Sequence, residues 1–221
     1  MGSDPSHGSG MSEPVFNVPP VTLRLCLLLL LSYLLSLWLG VWPGTIGGAL
    51  ALDVQAFRTQ FGPGGGLDLM LLAALPGHAL LHDGFAHFGV NTGMLLAFGT
   101  AVERGLGGRM LVALALTGAI SGGLTMVVLG NNMPAYLVGA SDAVHAVAGA
   151  AALLMLRHSN VSGRRTGFAL LGFLFGINAL LAVLGDVAMI DDLRIAWQAH
   201  LGGLSAGLMM AGWVILRLPR G

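Results

Sequence analysis

Charged side chains are scarce in this sequence: 9% of its residues are Asp, Glu, Lys or Arg, against about a quarter in a typical soluble domain. Hydrophobic residues make up 55%, and the mean hydropathy is +0.82. This composition excludes a soluble globular domain and indicates a polytopic membrane protein. The 221 residues leave room for about six spanning helices and short loops, because each span needs about 20 apolar residues.

Cysteine and lysine are nearly or wholly missing. The single cysteine, Cys26, lies in the first apolar run and cannot form a disulfide within the chain, so no disulfide framework is expected. All ten basic residues are arginine, and the absence of lysine carries no functional inference. The net charge of zero conceals an uneven placement of these arginines, which predicts the orientation of the chain.

The apolar runs predict six membrane spans. Residues 1–10 look like an expression scar before a native start and are left out of the fold, and 11–20 form a short cytoplasmic N-terminus. The membrane domain is expected over 21–217. Its long first loop, about 42–80, is rich in glycine and proline, so only interfacial helical pieces fit there. The predicted spans cover about 21–41, 81–102, 110–129, 141–156, 167–185 and 196–215.

The distribution of arginine predicts that both termini are cytoplasmic. With the N-terminus inside, only Arg58 and Arg194 lie outside, and the outer loop before the last span is acidic, with Asp186, Asp191 and Asp192. The inner arginines are Arg24, Arg104, Arg109, Arg157, Arg164, Arg165, Arg217 and Arg220.

A small-residue turn, Gly139-Ala-Ser141, places a serine in the first turn of the fourth span, beside free backbone N–H groups. The fourth and sixth spans both enter the membrane from the outer side, so Ser141 and His200 lie at the same depth. The second span enters from that side too, and its His87 and Asn91 are four residues apart on one face. These four side chains are therefore expected in one layer near the outer surface.

His200 has a functional and a structural interpretation. An ionisable side chain within a span is costly, which favours functional use, whereas a histidine bonded to a neighbouring carbonyl would serve packing only. Gly203 and Gly207 form a small-xxx-small face that allows another helix to approach closely. Such a contact would bring the His200 imidazole to Ser141.

His87 and Asn91 offer side-chain N–H donors, which suit stabilisation of a developing oxyanion. The alternative is an interhelical hydrogen-bonded pair that serves packing. Together with His78 and His82, His87 also permits a metal site. Zinc needs three or four convergent ligands, however, and neither cysteine nor a Glu-x-x-His pattern accompanies these histidines, so no bound metal is expected.

Further polar residues lie at or near the ends of the predicted spans. Glu103 and Arg104 end the second span at the inner surface, where we expect a structural role in holding the inner loop. His145 lies one turn after Ser141 on the same face, and its spacing leaves open whether it borders the site or fills it. Asp142 follows the serine directly, and a carboxylate there interacts favourably with a helix N-terminus.

The order and spacing of four segments resemble those of the rhomboid intramembrane serine proteases. The similar segments are 78–91, with upstream histidines and His87-x-x-x-Asn91; Gly99 with Val102-Glu103; Gly139-Ala-Ser141; and Ala199-His200-Leu-Gly-Gly203 with Gly207. The resemblance covers residues 75–207 and implies an all-α polytopic membrane protein with a six-transmembrane-helix rhomboid-like bundle.

The resemblance implies a serine endopeptidase with a Ser–His dyad. Ser141 would attack a peptide carbonyl, and His200 would act as general base and then as general acid to the leaving amine. His87 and Asn91, with the Ser141 backbone N–H, would hold the oxyanion, and packing would orient His200 without a carboxylate. The expected partners are the lipid bilayer and transmembrane substrate proteins, cut near the outer surface of a bacterial inner (plasma) membrane. Neither a cofactor nor a nucleic acid is expected.

The sequence departs from the pattern of this family at two places. Asp142 replaces the usual glycine after the serine, where a nearby carboxylate would favour charged His200 and weaken it as a base. Ala73-Ala74 stand where the first loop usually carries a Trp-Arg pair. His145 is similar to the Ser-x-x-x-His arrangement of the rhombosortase branch, which is thought to process C-terminal sorting tails.

Three functions remain open at this point. The first is an active intramembrane protease, and the second is an inactive rhomboid-like protein that binds transmembrane clients, for which Asp142 is the main support. The third is a small transporter or channel. Two features argue against it: the sequence has no inverted repeat, and no chain of ionisable residues crosses the membrane. Fluorophosphonate labelling separates the first two, and flux in proteoliposomes that persists in Ser141→Ala would favour the third.

Overall fold

The computed structural model describes residues 17–40, 50–61, 64–130, 136–157, 160–187 and 195–217. The predictions for residues 1–10 and 11–16, for the acidic outer loop at Asp191, Asp192 and Arg194, and for Arg220 lie outside this part of the chain, as does the side chain of Asp186. The helices are α1 Pro20–Leu39, α2 Val54–Thr59, α3 Leu69–Gly77, α4 Phe85–Leu106, α5 Gly108–Leu129, α6 Ser141–Leu156, α7 Val161–Val187 and α8 Trp197–Ile215.

The predicted all-α membrane bundle is confirmed. Among the described residues, four helices are long and apolar enough to cross a membrane, namely α1, α4, α5 and α7. The other two predicted spans form α6 and α8. Helix α6 has 16 residues and so is about 24 Å long, shorter than a hydrocarbon core of about 30 Å.

Helix α6 lies at the centre of the bundle and packs against α4, α5, α7 and α8. Its sequence is rich in small residues, and Ala146, Ala148 and Ala150–152 are completely buried. Small side chains allow neighbouring helices to approach closely, which is how membrane helices associate where lipid offers no hydrophobic driving force. The helix therefore meets other helices instead of lipid, and its first residue, Ser141, lies at one end of the protein core.

Glu103 holds the beginning of α1. Its carboxylate accepts hydrogen bonds from the backbone N–H groups of Val21 at 2.9 Å and Thr22 at 2.6 Å, and from the Thr22 hydroxyl at 2.7 Å. The first N–H groups of a helix have no partner within the helix, so a carboxylate there stabilises it. The predicted structural role is confirmed, but the partner is the α1 N-terminus and not the inner loop after α4. Arg104 acts nearby, donating to the Asn17 carbonyl at 2.6 Å.

The long first loop contains α2 and α3, as predicted, and is fixed to the bundle without a Trp-Arg pair. The Arg58 guanidinium of α2 donates to the carbonyl oxygens of Val127 at 2.6 Å and Gly130 at 2.9 Å, where α5 ends. Cationic side chains at a helix C-terminus are favourable because the last carbonyls lack partners. The loop also forms a two-residue strand, β1 Leu52–Asp53, antiparallel to β2 Tyr136–Leu137 just before the serine turn.

Candidate active site

Ser141 is the first residue of α6 and follows a turn that requires glycine. Gly139 has a φ of +112°, a backbone conformation that residues other than glycine rarely adopt. A Cβ at this position would also clash with the His87 ring. The Gly139 N–H donates to the carbonyl oxygen of His78 at 2.9 Å. The turn is thus held from the first loop and leaves Ser141 partly exposed at the end of a buried helix.

The structure brings Ser141 and His200 together. The Nε2 atom of His200 lies 2.8 Å from the Ser141 Oγ, and the imidazole is 8% exposed. A neutral imidazole with its proton on Nδ1 accepts the serine hydroxyl proton at Nε2, as a general base must. The pair is 59 positions apart in the chain and is formed by the packing of α8 on α6.

The glycines of α8 make this contact possible, and the predicted close approach of another helix is confirmed. A Cβ at Gly203 would meet the backbone of Asp142, and a Cβ at Gly207 would meet the backbone of Ala146, one turn farther along α6. The two helices therefore touch backbone to backbone. Gly202 lies against α5 instead, where a Cβ would meet Thr125 and the Ser121 carbonyl.

His145 borders the pair, which answers the question that its spacing left open. Its ring stacks on that of His200, with centroids 4.4 Å apart and an angle of 11° between the ring planes. Its Nδ1 donates to the Ser141 carbonyl oxygen at 2.7 Å, so the ring is fixed by its own helix. The Nδ1 atom of His200 has no hydrogen-bond partner among the described residues, and the imidazole contacts the Ser141 hydroxyl and the His145 ring.

His87 and Asn91 lie on α4 beside the serine turn. The His87 ring packs against Gly139, two residues before Ser141. Asn91 is 3% exposed, and its Nδ2 has no hydrogen-bond partner within the described chain. A buried amide donor without a partner is costly to keep. An interhelical pair that serves packing would use that donor, so its free state argues against the packing interpretation of Asn91.

His78 and His82 come before α4 and do not converge on a metal. Within the described residues, no three His, Cys, Asp or Glu side chains are placed to hold one metal ion. The His82 ring lies edge-on to His87, with centroids 5.3 Å apart. Burial, and then the charge that His87 would carry, lower the pKa of His82 to about 4, so His82 is neutral near pH 7. The His78 ring points to a different partner, Asp142.

Asp142 is bonded to His78 and not to His200. Its Oδ2 lies 2.9 Å from the His78 Nε2, and its Oδ1 accepts the Ala143 backbone N–H at 2.7 Å. The bond to Ala143 agrees with the expected interaction at the helix N-terminus. The pairing with His78 was not foreseen from the sequence. The only signal was an ionisable residue in each of two apolar segments, and no local pattern says which one faces the other.

The four long apolar helices and the buried helix α6 define an integral membrane protein of the helical-bundle class. A model of the Rhomboid domain matches residues 72–218, more than half of the chain, and the chain belongs to the rhomboid family. Members of this family are intramembrane serine proteases that act on transmembrane substrates, or inactive homologues of them. Comparison with curated proteins gives no match to the chain. Assignment to the rhombosortase branch stays a prediction.

Proposed function

We propose that this protein is an active intramembrane serine endopeptidase whose nucleophile is Ser141 and whose general base is His200. The observation that carries the proposal is the 2.8 Å separation between Ser141 Oγ and His200 Nε2, with the imidazole buried. The Oγ forms a bond to the peptide carbonyl carbon while its proton passes to Nε2. The same proton then goes to the leaving amine as the C–N bond breaks, and water hydrolyses the acyl-enzyme.

The oxyanion of the tetrahedral intermediate is held by donors from α4 and α6. His87 lies against the serine turn, and the Asn91 amide is buried with an unused donor. The backbone N–H of Ser141, in the first turn of α6, adds a further donor without an intrahelical partner. Donors that are fixed before the reaction need no reorganisation when the negative charge develops, which is why they accelerate it.

The proposed substrate is a transmembrane segment of another membrane protein. A helical segment must unwind before its carbonyl reaches Ser141, so the cut falls beside small or helix-destabilising residues. The proposed location is a bacterial inner membrane. The arginine distribution supports an orientation in which both termini are cytoplasmic and the beginning of α6 lies near the outer surface. Water then reaches the pair from the outer side.

The competing interpretation as an inactive client-binding homologue relied on Asp142. Its carboxylate is engaged by His78 and by the Ala143 N–H, with no hydrogen bond to His200. A carboxylate paired with a histidine does not leave an uncompensated negative charge beside the base. This removes the main argument against activity and favours the protease.

The first test is covalent labelling of the purified protein by a fluorophosphonate, followed by mass spectrometry of the digested adduct. We expect one phosphonylated site, at Ser141, and cleavage of a generic transmembrane substrate by the same preparation. Heat-denatured protein is the control for nonspecific acylation. A folded protein that neither carries the adduct nor cleaves any member of a panel of transmembrane substrates would be the inactive homologue.

Replacing Asn91 with alanine is expected to lower kcat about 100-fold with little change in KM, at the lower end of the usual scale for one oxyanion donor. The reason is that the amide contacts the substrate oxygen only once negative charge develops. Asn178→Ala is a matched control because Asn178 is equally buried but bonds within its own helix, to the Leu174 carbonyl at 2.8 Å. A wild-type kcat for Asn91→Ala in detergent would remove this residue from the proposed oxyanion site.

A further inference from the structure

His78 and Asp142 form a buried pair that the dyad chemistry does not use. The two side chains are 0% and 1% exposed, and their Nε2 and Oδ2 atoms lie 2.9 Å apart. The other ring nitrogen of His78, Nδ1, lies 3.2 Å from the Ala74 carbonyl oxygen. Helix α5 makes room for the pair: a Cβ at Gly122 would clash with the Asp142 side chain, and one at Gly123 would touch the His78 ring.

The two partners of His78 define its charge. With Asp142 as a carboxylate, both partners of His78 only accept hydrogen bonds, so both ring nitrogens donate and the ring is an imidazolium. Burial lowers the pKa of His78, but the Asp142 charge, the hydrogen bond to it and the backbone carbonyls raise it by more, so the pKa is raised overall. The pair is therefore a neutral unit made of two opposite charges.

His78 holds the chain on both sides of Ser141. Its carbonyl oxygen accepts the Gly139 N–H at 2.9 Å, two residues before the serine, and its ring donates to Asp142, the residue directly after the serine. One residue of the first loop thus fixes both the turn and the first turn of α6. His200, by contrast, reaches the serine from α8.

We propose that His78 and Asp142 are positioning residues that fix the first turn of α6, so that the Ser141 hydroxyl stays within reach of His200; this rests on the proposed function. Asp142 therefore forms a hydrogen bond to His78 that the glycine usual at this position in the family could not form, because glycine has no side chain. Asp142→Ala removes the hydrogen bond and leaves the buried His78 Nε2 without a partner, whereas the neutral amide of an Asp142→Asn variant can still bond to a neutral His78. Loss of the bond and loss of the charge can therefore be separated.

The kinetic test compares Asp142→Ala with Asp142→Asn at a temperature well below the melting temperature of each. We expect Asp142→Ala to lower kcat about 10- to 100-fold at similar KM, the range for misplacement of a reacting group, and Asp142→Asn to stay within about 3-fold of wild type. Thr22→Val is the matched control: it removes the hydrogen bond from the buried Thr22 hydroxyl to the partly exposed Glu103, and should lower the melting temperature without changing kcat. A wild-type kcat for folded Asp142→Ala overturns the proposal.

A second arm does not depend on proteolysis. In a Cys26→Ala background, Ser141→Cys places a thiol beside His200, which raises its reactivity towards a maleimide at pH 7 because a histidine partner favours the thiolate. We expect Asp142→Ala to slow this alkylation about 10-fold and Asp142→Asn to leave it within about 3-fold. If Asp142→Ala does not fold, the double variant His78→Ala/Asp142→Ala, which leaves no unpaired charge, takes its place with the same expected slowing.

The two arms separate failure of the positioning role from failure of the protease. Equal alkylation rates with and without the pair overturn the positioning role, even if wild-type protein cleaves substrate. Slowed alkylation supports it, even if wild-type protein neither cleaves substrate nor reacts with a fluorophosphonate, in which case only the proposed protease activity fails.

Discussion

Ser141→Ala and His200→Ala are each expected to lower kcat by about 10⁴-fold or more, and the double variant is expected to be no worse than either single one. Nucleophile and base act as one unit, so removing either removes the same step, and only oxyanion stabilisation and substrate binding remain. The 2.8 Å bond between the two side chains is the reason to expect this non-additivity. The measurement is cleavage of one transmembrane substrate by the three variants under identical conditions.

The control for this series is a serine that bonds to the same helix but not to His200. Ser121 of α5 donates its hydroxyl to the Gly202 carbonyl at 3.1 Å, so Ser121→Ala tests the loss of a hydroxyl that contacts α8. We expect it to change kcat by less than about 3-fold, because a neutral hydrogen bond away from the reacting groups contributes to stability and not to the chemical step. Losses that multiply in the double variant would mean that Ser141 and His200 act in separate steps.

Gly203→Leu is expected to destabilise the protein and to abolish cleavage together. A Cβ at this position already meets the Asp142 backbone, so a leucine must push α8 away from α6. Overpacking of this kind costs about 1–3 kcal/mol, and it also separates His200 from Ser141, where a shift of about 1 Å already costs about 100-fold in rate. Thermal unfolding in detergent and substrate cleavage measure the two effects.

Gly212→Leu is the matched substitution on the same helix. Among the described residues outside this stretch of α8, only the Leu153 side chain lies within 4 Å of a Cβ there, at an ordinary contact distance of 3.8 Å. We expect this variant to keep both its melting temperature and its kcat close to the wild-type values. An unchanged melting temperature in Gly203→Leu would contradict the backbone contact between α6 and α8.

Much of the fold follows from the sequence because helices in a membrane are specified locally. A long apolar run has one stable backbone conformation in lipid, which satisfies its own hydrogen bonds. The predicted 141–156 agrees with the observed Ser141–Leu156, and 110–129 differs from Gly108–Leu129 by only two residues at one end. The depth of a residue in the membrane is equally local: counting residues from the ends of two spans places Ser141 and His200 in one layer, and the structure brings them together.

The helices, their order and the polar residues that share a layer can therefore be predicted from the sequence alone. Which of these residues contact each other depends on how the helices pack. The position of Asp142 directly after Ser141 predicts that its carboxylate weakens His200 as a base. The carboxylate instead forms a hydrogen bond with His78, 64 positions away. Glu103 likewise binds the beginning of α1, and β1 pairs with β2 through strands too short to show any periodicity. Helix periodicity reports which face is apolar, whereas the partner of a buried charge depends on how distant segments pack.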